Sequence, residues 1–155
     1  MNTTIYLSRS IDWEKLIYEF SIILIASLLI TAIDFNITTG ECIRKLREKR
    51  GKIIRLIFFH QVISFFASFG WIANSKIILV LFVALNIIIL IHWITNRNRC
   101  FVTQQLNNIC GIDDRWFPDL FYFVGFKKFS IWNNYLSYIY SILVSIYAIY
   151  KILNR

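Results

Sequence analysis

Four long apolar segments constrain this chain more than any other feature of its sequence. They cover residues 13–33, 53–73, 77–95 and 131–152. Each is close to the roughly 20 apolar residues that an α-helix needs to cross about 30 Å of hydrocarbon. A single proline and five glycines occur in the 155 residues, so the helices can run without interruption. The pattern predicts an all-α fold, in which one integral membrane domain is built as a bundle of four transmembrane helices.

The two longer loops carry most of the charge. The first, at 34–52, is basic, and the second, at 96–130, is basic at its start and aromatic in its second half. Between Asp113 and Lys128, acidic residues precede a proline and two lysines end the run, which is typical of a helix with complementary charges at its ends. The apolar part of this run is too short to span a bilayer. We therefore expect an interfacial or re-entrant aromatic helix in the second loop.

The distribution of lysine and arginine predicts the orientation of the chain. Of the 17 basic residues, seven lie in or next to the first longer loop and five in the second, whereas the termini and the turn near Asn74 hold five. Because short cytoplasmic loops are enriched in basic residues, both termini should be non-cytoplasmic. The three cysteines, Cys42, Cys100 and Cys110, would then lie on the cytoplasmic side, where we expect reduced thiols.

The basic cluster of the first longer loop predicts a lipid partner. The net charge is +8, but these basic residues lie beside the membrane rather than over a soluble surface. Near anionic headgroups, each contributes about 1 kcal/mol of attraction. We therefore expect the bilayer and its anionic headgroups as partners, and no nucleic acid. The residues expected to make this contact are Arg44, Lys45, Arg47, Lys49, Arg50 and Lys52.

Serines recur at helical spacing on the fourth segment. Ser137, Ser141 and Ser145 are four residues apart, and together with Ala148 they form one side of the helix, which we call the serine face. In lipid, small and hydroxylated residues mark the places where helices meet. The face predicts packing against another helix or a homo- or hetero-oligomer, and a polar pore lining is the alternative.

His60, Ser64 and Asn86 are the polar candidates inside the second and third segments. The tight turn near Asn74 places Ser64 and Asn86 at similar depth, and we expect Asn86 to form an interhelical hydrogen bond, since an unpaired amide in hydrocarbon is costly. His60 lies about 10 Å inside the second helix, at about 1.5 Å per residue. Gln61 and Ser64 could satisfy it. Proton conduction is the alternative, because an unperturbed histidine titrates near neutral pH.

A polar cluster, His92, Asn96, Arg99 and Cys100, stands where the third segment leaves the membrane. If the helix continued past Thr95, then His92, Asn96 and Arg99 would share one face. Arg99 could then bridge a carboxylate of the second longer loop and hold the aromatic segment under the bundle. The acids available there are Asp113, Asp114 and Asp119. We call this expected contact the Arg99 latch.

The sequence around this cluster resembles segments of two kinds of small membrane protein. The run Cys100-Phe101-Val102-Thr103 resembles the Cys-Pro-Leu-Thr segment that follows a membrane helix in an uncharacterised family of small bacterial membrane proteins. His92-Trp93, with Asn96 and Cys100, is similar to small membrane proteins of large DNA viruses. The resemblance covers residues 92–103, Phe101 stands in place of the proline, and it implies no activity.

No catalytic or cofactor motif is visible in the sequence. His92, Cys100 and Cys110 match no zinc-ligand spacing, and no nucleophile elbow, P-loop or dinucleotide fingerprint occurs. We therefore predict a non-enzymatic membrane assembly or interaction component, for which a viral membrane protein is one candidate, with no catalytic residue, cofactor or metal. The alternatives are an oligomeric ion channel or viroporin, and a membrane-interface enzyme that uses His92 as a base.

Two glycosylation sequons test the orientation. Asn2-Thr3-Thr4 and Asn36-Ile37-Thr38 flank the first segment, so only one of them can face a lumen. With both termini non-cytoplasmic, expression in a eukaryotic membrane should give a glycan on Asn2 and none on Asn36. A glycan on Asn36, seen as a gel shift that the Asn36→Gln variant loses, would invert the orientation.

Overall fold

The fold is all-helical throughout the part of the chain that the structure describes, which is residues 12–37, 47–97, 99–111 and 131–154 of a computed structural model. Five α-helices are found there: α1 (Trp13–Ile37), α2 (Arg50–Phe69), α3 (Lys76–Thr95), α4 (Phe101–Cys110) and α5 (Ile131–Leu153). Short 3-10 turns, Arg47–Lys49 and Gly70–Ile72, precede and follow α2.

The predicted bundle of four membrane-spanning helices is confirmed by length and composition. The candidate spans are Trp13–Ile33, Arg50–Ile72, Lys76–Thr95 and Tyr135–Leu153. Helix α4 is only 10 residues long and is not one of them. The aromatic helix expected between Asp113 and Lys128 lies outside the described residues.

Helices α2 and α3 form a tight hairpin. At Gly70, where α2 gives way to its 3-10 turn, an added Cβ would stand 2.6 Å from the Phe82 ring of α3. A side chain there would force the two helices apart, so the glycine permits the close approach. Phe66 of α2 meets Phe82 edge to face, with ring centroids 6.1 Å apart.

Helix α5 packs on α3 through the serine face. Ser141 is 6% exposed and Ala148 is fully buried, and Ala148 and Val144 pack in one cluster with Leu79 and Phe82 of α3. The small side chains let the two backbones approach, as expected for helices that associate in lipid. In the described structure this part of the face is therefore occupied by another helix of the same chain.

Asn86 joins three helices. Its amide nitrogen donates to the Phe82 carbonyl at 3.1 Å, on its own helix, and reaches the Ala67 carbonyl of α2 at 3.5 Å. The hydroxyl of Ser141 on α5 donates to the Asn86 amide oxygen. Asn86 thus makes the interhelical bond expected of it, but its partners are Ser141 and a backbone carbonyl rather than Ser64, which is half-buried.

Two charged side chains bind the turn between α2 and α3. The carboxylate of Glu19 on α1 accepts hydrogen bonds from the Asn74 and Ser75 amides at 2.8 and 3.0 Å, at the start of α3. Lys151 of α5 donates to the Trp71 and Ala73 carbonyls at 3.0 and 2.7 Å, at the end of the α2 segment. The negative charge of Glu19 lies at a helix N-terminus and the positive charge of Lys151 at a helix C-terminus, and each position is electrostatically favourable. Helices α1 and α5 therefore stabilise the hairpin through hydrogen bonds to the backbone of its turn.

Helix α1 contacts α2 and otherwise presents apolar side chains outward. Ser27 is fully buried, and its hydroxyl donates to the Ile23 carbonyl at 2.7 Å. Leu24, Ile25 and Leu29 are about half exposed or more, which suits a helix surface bathed in lipid.

Removing the Ser141 hydroxyl should destabilise the bundle. In Ser141→Ala the buried Asn86 oxygen loses its donor, which should lower the free energy of unfolding by about 1 kcal/mol. Ser145→Ala is the matched control, because the Ser145 hydroxyl oxygen is buried without a hydrogen-bond partner and its loss should cost almost nothing. Unfolding by titration with a denaturing detergent, followed by circular dichroism, gives both values. Equal stability of the two variants would show that the Asn86–Ser141 bond contributes nothing.

Candidate functional site

The polar cluster lies on a chain reversal that begins where α3 ends. The helix stops at Thr95, Asn96 caps it, and Arg97 adopts a left-handed backbone conformation with φ of 51°. Cys100 then occupies the N-cap position of α4. We expected His92, Asn96 and Arg99 to share one face only if the helix continued past Thr95. The helix ends at Thr95, so this shared helical face does not form.

Asn96 holds the reversal together through its side-chain amide. The amide nitrogen donates to the Arg99 carbonyl at 2.6 Å and to the Gln104 side-chain oxygen at 3.1 Å, and it lies 3.4 Å from His92 Nε2. The first bond closes the turn and the second ties the turn to α4. Sequence reasoning did not single out Gln104, since a glutamine in a short amphipathic helix carries no signal of its own.

His92 caps the start of α4 from the end of α3. Its Nε2 accepts the backbone N–H of Phe101 at 3.1 Å. The first amides of a helix have no partner within the helix, and here an imidazole of another helix supplies one. A ring nitrogen that accepts must carry no proton, so this bond requires a neutral His92 with its proton on Nδ1. The nitrogen that a catalytic base would use is already engaged.

Helix α4 lies against the first two turns of α2. Leu106 is fully buried and packs with Ile53 and Ile57 of α2. Gly111 ends α4 with φ of 62°, a left-handed conformation that glycine adopts without strain. Because Cys100 lies near His60 while Leu106 lies near Ile53 and Ile57, α4 runs antiparallel to α2.

The Cys100 thiol meets His60, which is 7% exposed. Burial raises the pKa of the Cys100 thiol, but a hydrogen bond and charge attraction from His60, with backbone hydrogen bonds at Thr103 and Val102, outweigh it. Their net effect lowers the pKa of Cys100 from 9.0 to about 7. The contact with His60 and the backbone hydrogen bonds therefore favour the thiolate form of Cys100.

The pairing of His60 with Cys100 brings together two residues that the sequence treated separately. His60 was assigned to the interior of the second helix, with Gln61 and Ser64 as its expected partners. The structure turns it to a residue 40 positions later in the chain, across the interface of α2 and α4. Cys100 returns to the depth of His60 because the chain reverses after Thr95, and no local sequence pattern predicts such a reversal.

The expectation that all three cysteines are reduced thiols is wrong for Cys110. That residue, the last of α4, is held in a disulfide bond. Cys100, ten positions earlier, is a free, half-buried thiol. Cys42 lies outside the described residues. A cytoplasmic position predicts reduced thiols, so the disulfide at Cys110 contradicts that expectation.

The acids of the Arg99 latch lie outside the described residues. Arg99 itself is exposed, in the turn before Cys100. The latch to Asp113, Asp114 or Asp119 therefore stays a prediction.

Basic residues surround the start of α2. Lys49, Arg50, Lys52 and Arg55 are all exposed, and Arg55 Nε donates to the Gly51 carbonyl at 3.2 Å. Arg47 lies in the preceding 3-10 turn, whereas Arg44 and Lys45 are outside the described ranges. The exposed side chains of Lys49, Arg50, Lys52 and Arg55 lie at the same end of the bundle as α4, because α4 packs along Ile53 and Ile57.

Comparisons of the chain with protein-family models, curated proteins and solved structures gave no match. The resemblance of residues 92–103 to small bacterial and viral membrane proteins therefore stays a prediction. Among the residues that the structure describes, no three histidine, cysteine, aspartate or glutamate side chains are grouped to hold a metal ion.

Removing the His92 imidazole should loosen α4. In His92→Ala the Phe101 amide loses its acceptor, a change comparable to the loss of an N-cap, which costs about 1 kcal/mol. Hydrogen exchange at the first amides of α4 should accelerate by roughly fivefold if they exchange through local opening. Thr95→Ala is the control, because the Thr95 hydroxyl bonds to carbonyls of its own helix, at Ile91 and His92. Unchanged exchange in His92→Ala would show that the cap does not hold the helix.

Proposed function

We propose that this chain is a non-enzymatic membrane component whose basic end binds anionic headgroups, with the rest of the bundle serving as its anchor. The observation that carries the proposal is the exposure of Lys49, Arg50, Lys52 and Arg55 at the start of α2. Four cations over seven residues, at the end of a membrane-spanning helix, form the kind of surface that anionic lipid attracts.

The packing of α4 supports this assignment. Leu106 docks on Ile53 and Ile57, and His92 and Asn96 fix the start of α4, so the basic turns of α2 are braced from one side. Basic side chains on a braced backbone lose less entropy on binding than the same residues on a free loop. The end of the bundle therefore offers a preformed cationic surface.

We also propose that this end faces the cytoplasm, with both termini on the other side. The asymmetry of basic residues supports this orientation, and anionic lipid is concentrated in the cytoplasmic leaflet. The proposed orientation therefore places the basic residues beside the leaflet that is rich in the proposed ligand.

The ion channel is the less supported alternative. It rested on the serine face and on His60, yet Ser141 bonds to Asn86, Ala148 packs on α3, and His60 pairs with Cys100. A pore lined by the whole serine face would require α5 to separate from α3. An oligomer that leaves this contact intact would have to use the outward apolar sides of the helices.

Neutralising the basic end should weaken the binding of anionic lipid. Each lysine near the surface contributes about 1 kcal/mol, so the Lys49→Gln/Lys52→Gln variant should bind phosphatidylserine at least roughly tenfold more weakly. The measurement is a titration of phosphatidylserine into the full chain in a zwitterionic detergent. High salt should remove most of the difference, because exposed charges are screened.

The matched control is Lys15→Gln/Lys76→Gln, which removes the same charge from exposed positions at the other end of the bundle. It should leave the affinity for phosphatidylserine close to that of the unmodified chain. Equal loss in both double variants would mean that net charge alone governs binding, and no loss in either would refute the proposal.

A further inference from the structure

Given the proposed binding of anionic lipid, on which this inference rests, we propose that the lipid is one whose headgroup carries phosphate groups at two depths, as a phosphatidylinositol phosphate does. Three features of the structure carry the assignment: the length of α2 beyond the neighbouring spans, the side of α2 that three exposed cations share, and the apolar surface at which that side ends.

Helix α2 extends past the end of α3. Asn86 of α3 reaches the Ala67 carbonyl of α2, so these two residues lie at the same level of the hairpin. Thr95, which ends α3, follows Asn86 by nine residues, so in antiparallel helices of equal rise it lies level with Phe58, nine residues before Ala67. Helix α2 begins at Arg50, eight residues earlier, and therefore projects beyond the end of α3 by about 12 Å.

Helix α5 begins close to the level at which α3 ends. It runs parallel to α2, because its carboxyl-terminal end bonds to the end of the α2 segment. Ser141 bonds to Asn86, and α5 starts ten residues earlier, at Ile131. Ile131 therefore lies near the level of Ile57, ten residues before Ala67. The first two turns of α2 project beyond both neighbours, with α4 packed along one side of them.

An aromatic pair marks the edge of the hydrocarbon near the same level. Trp93, two residues before the end of α3, meets Tyr138 of α5 edge to face, with ring centroids 5.5 Å apart. Tryptophan and tyrosine are enriched where membrane helices leave the hydrocarbon. The projecting turns of α2 therefore lie in the headgroup layer, which is about 5–8 Å thick on each side of a bilayer.

Three exposed cations share one side of this projection. Lys49, Lys52 and Arg55 are three residues apart, which places them in a row along α2 at intervals of about 4.5 Å. Arg55 is nearest the hydrocarbon, and its Nε donates to the Gly51 carbonyl, one turn nearer the start of the helix. Lys49 lies at the outer end. We call these three residues the basic row, and it extends across the headgroup layer for about 9 Å.

The basic row ends at an apolar surface. Phe59 follows Arg55 by four residues on the same side of α2 and is 56% exposed. From residue 56 to residue 69, all of which the structure describes, no other residue of α2 is exposed. A ligand that lies along this side therefore meets cations first and then an aromatic ring within the hydrocarbon. This order suits a lipid, whose acyl chains continue from its headgroup, better than it suits a soluble phosphate.

The depth of the basic row selects between classes of anionic lipid. The phosphodiester that joins a headgroup to glycerol lies at the inner edge of the headgroup layer, near Arg55. A further phosphate must lie farther out if it is to accept charge-assisted hydrogen bonds from Lys52 and Lys49. Phosphates on an inositol ring are displaced in this direction, whereas the two phosphodiesters of cardiolipin lie side by side at one depth. Phosphatidylserine carries a single phosphate.

The test compares lipids whose phosphates are arranged differently. The full chain in a zwitterionic detergent is titrated with phosphatidylinositol bisphosphate, cardiolipin, phosphatidylserine and soluble inositol trisphosphate, and bound ligand is measured by native mass spectrometry. The bisphosphate lipid should bind at least roughly tenfold more tightly than the other two lipids, because hydrogen bonds to charged groups add to the general attraction. Inositol trisphosphate should bind at least roughly tenfold more weakly than the bisphosphate lipid, because it has no acyl chain to contact Phe59.

Lys52→Gln should remove most of the preference for the bisphosphate lipid, and Arg50→Gln is its matched control. Arg50 is exposed and carries the same charge, but it lies two residues from Lys52 and therefore about 160° around the helix. Both changes should weaken the general attraction of anionic lipid by a similar amount. Lys52→Gln should reduce the preference over cardiolipin to roughly twofold, whereas Arg50→Gln should leave it near roughly tenfold.

Three results would overturn the inference: equal affinities for the bisphosphate lipid and cardiolipin, the same loss of preference in Arg50→Gln as in Lys52→Gln, or inositol trisphosphate binding as tight as that of the lipid. Both variants alter exposed side chains, so both should fold, which circular dichroism checks. If phosphatidylserine still binds through the basic end, any of these results refutes the assigned class of lipid and leaves the proposed function intact. Absence of binding by every anionic lipid would refute both.

Discussion

The absence of water in the bilayer core governs how this bundle is assembled. A polar group there must find its partner within the protein. Asn86 meets this requirement by reaching a carbonyl of α2, a carbonyl of its own helix and the hydroxyl of Ser141 on α5. The hydrophobic effect does not bring helices together in lipid, because the lipid hydrocarbon solvates apolar side chains as well as another helix does. The Asn86 amide and the small residues that let α5 approach it therefore contribute to the specificity of this three-helix contact.

The same constraint acts at the ends of the helices. The backbone amides that open α3 and the carbonyls that close the α2 segment are satisfied by Glu19 and Lys151, which come from opposite ends of the chain. At the other end of the bundle, His92 satisfies the first amide of α4. In each case a polar side chain of one helix completes the backbone of another.

The membrane architecture could be predicted from the sequence because it depends on composition over windows of about 20 residues. Asn86 could also be recognised, since a lone amide in an apolar helix must be bonded. Its partner was not the expected Ser64 but Ser141, because depth alone does not fix rotation about a helix axis. The pairing of His60 with Cys100 could not be predicted from the sequence, for a different reason. It depends on the left-handed turn at Arg97, and arginine gives no signal for that conformation.

The contact of Glu19 with the Asn74 and Ser75 amides links the first helix to the hairpin. The carboxylate lies in the first candidate span, whereas its partners lie in the turn that follows the second, so α1 has these hydrogen bonds only when it packs against the hairpin. An unpaired carboxylate within a membrane segment is costly, and this cost is relieved only when the hairpin of α2 and α3 arrives. Glu19 therefore couples the cost of holding a carboxylate in the first span to the docking of that span on the hairpin.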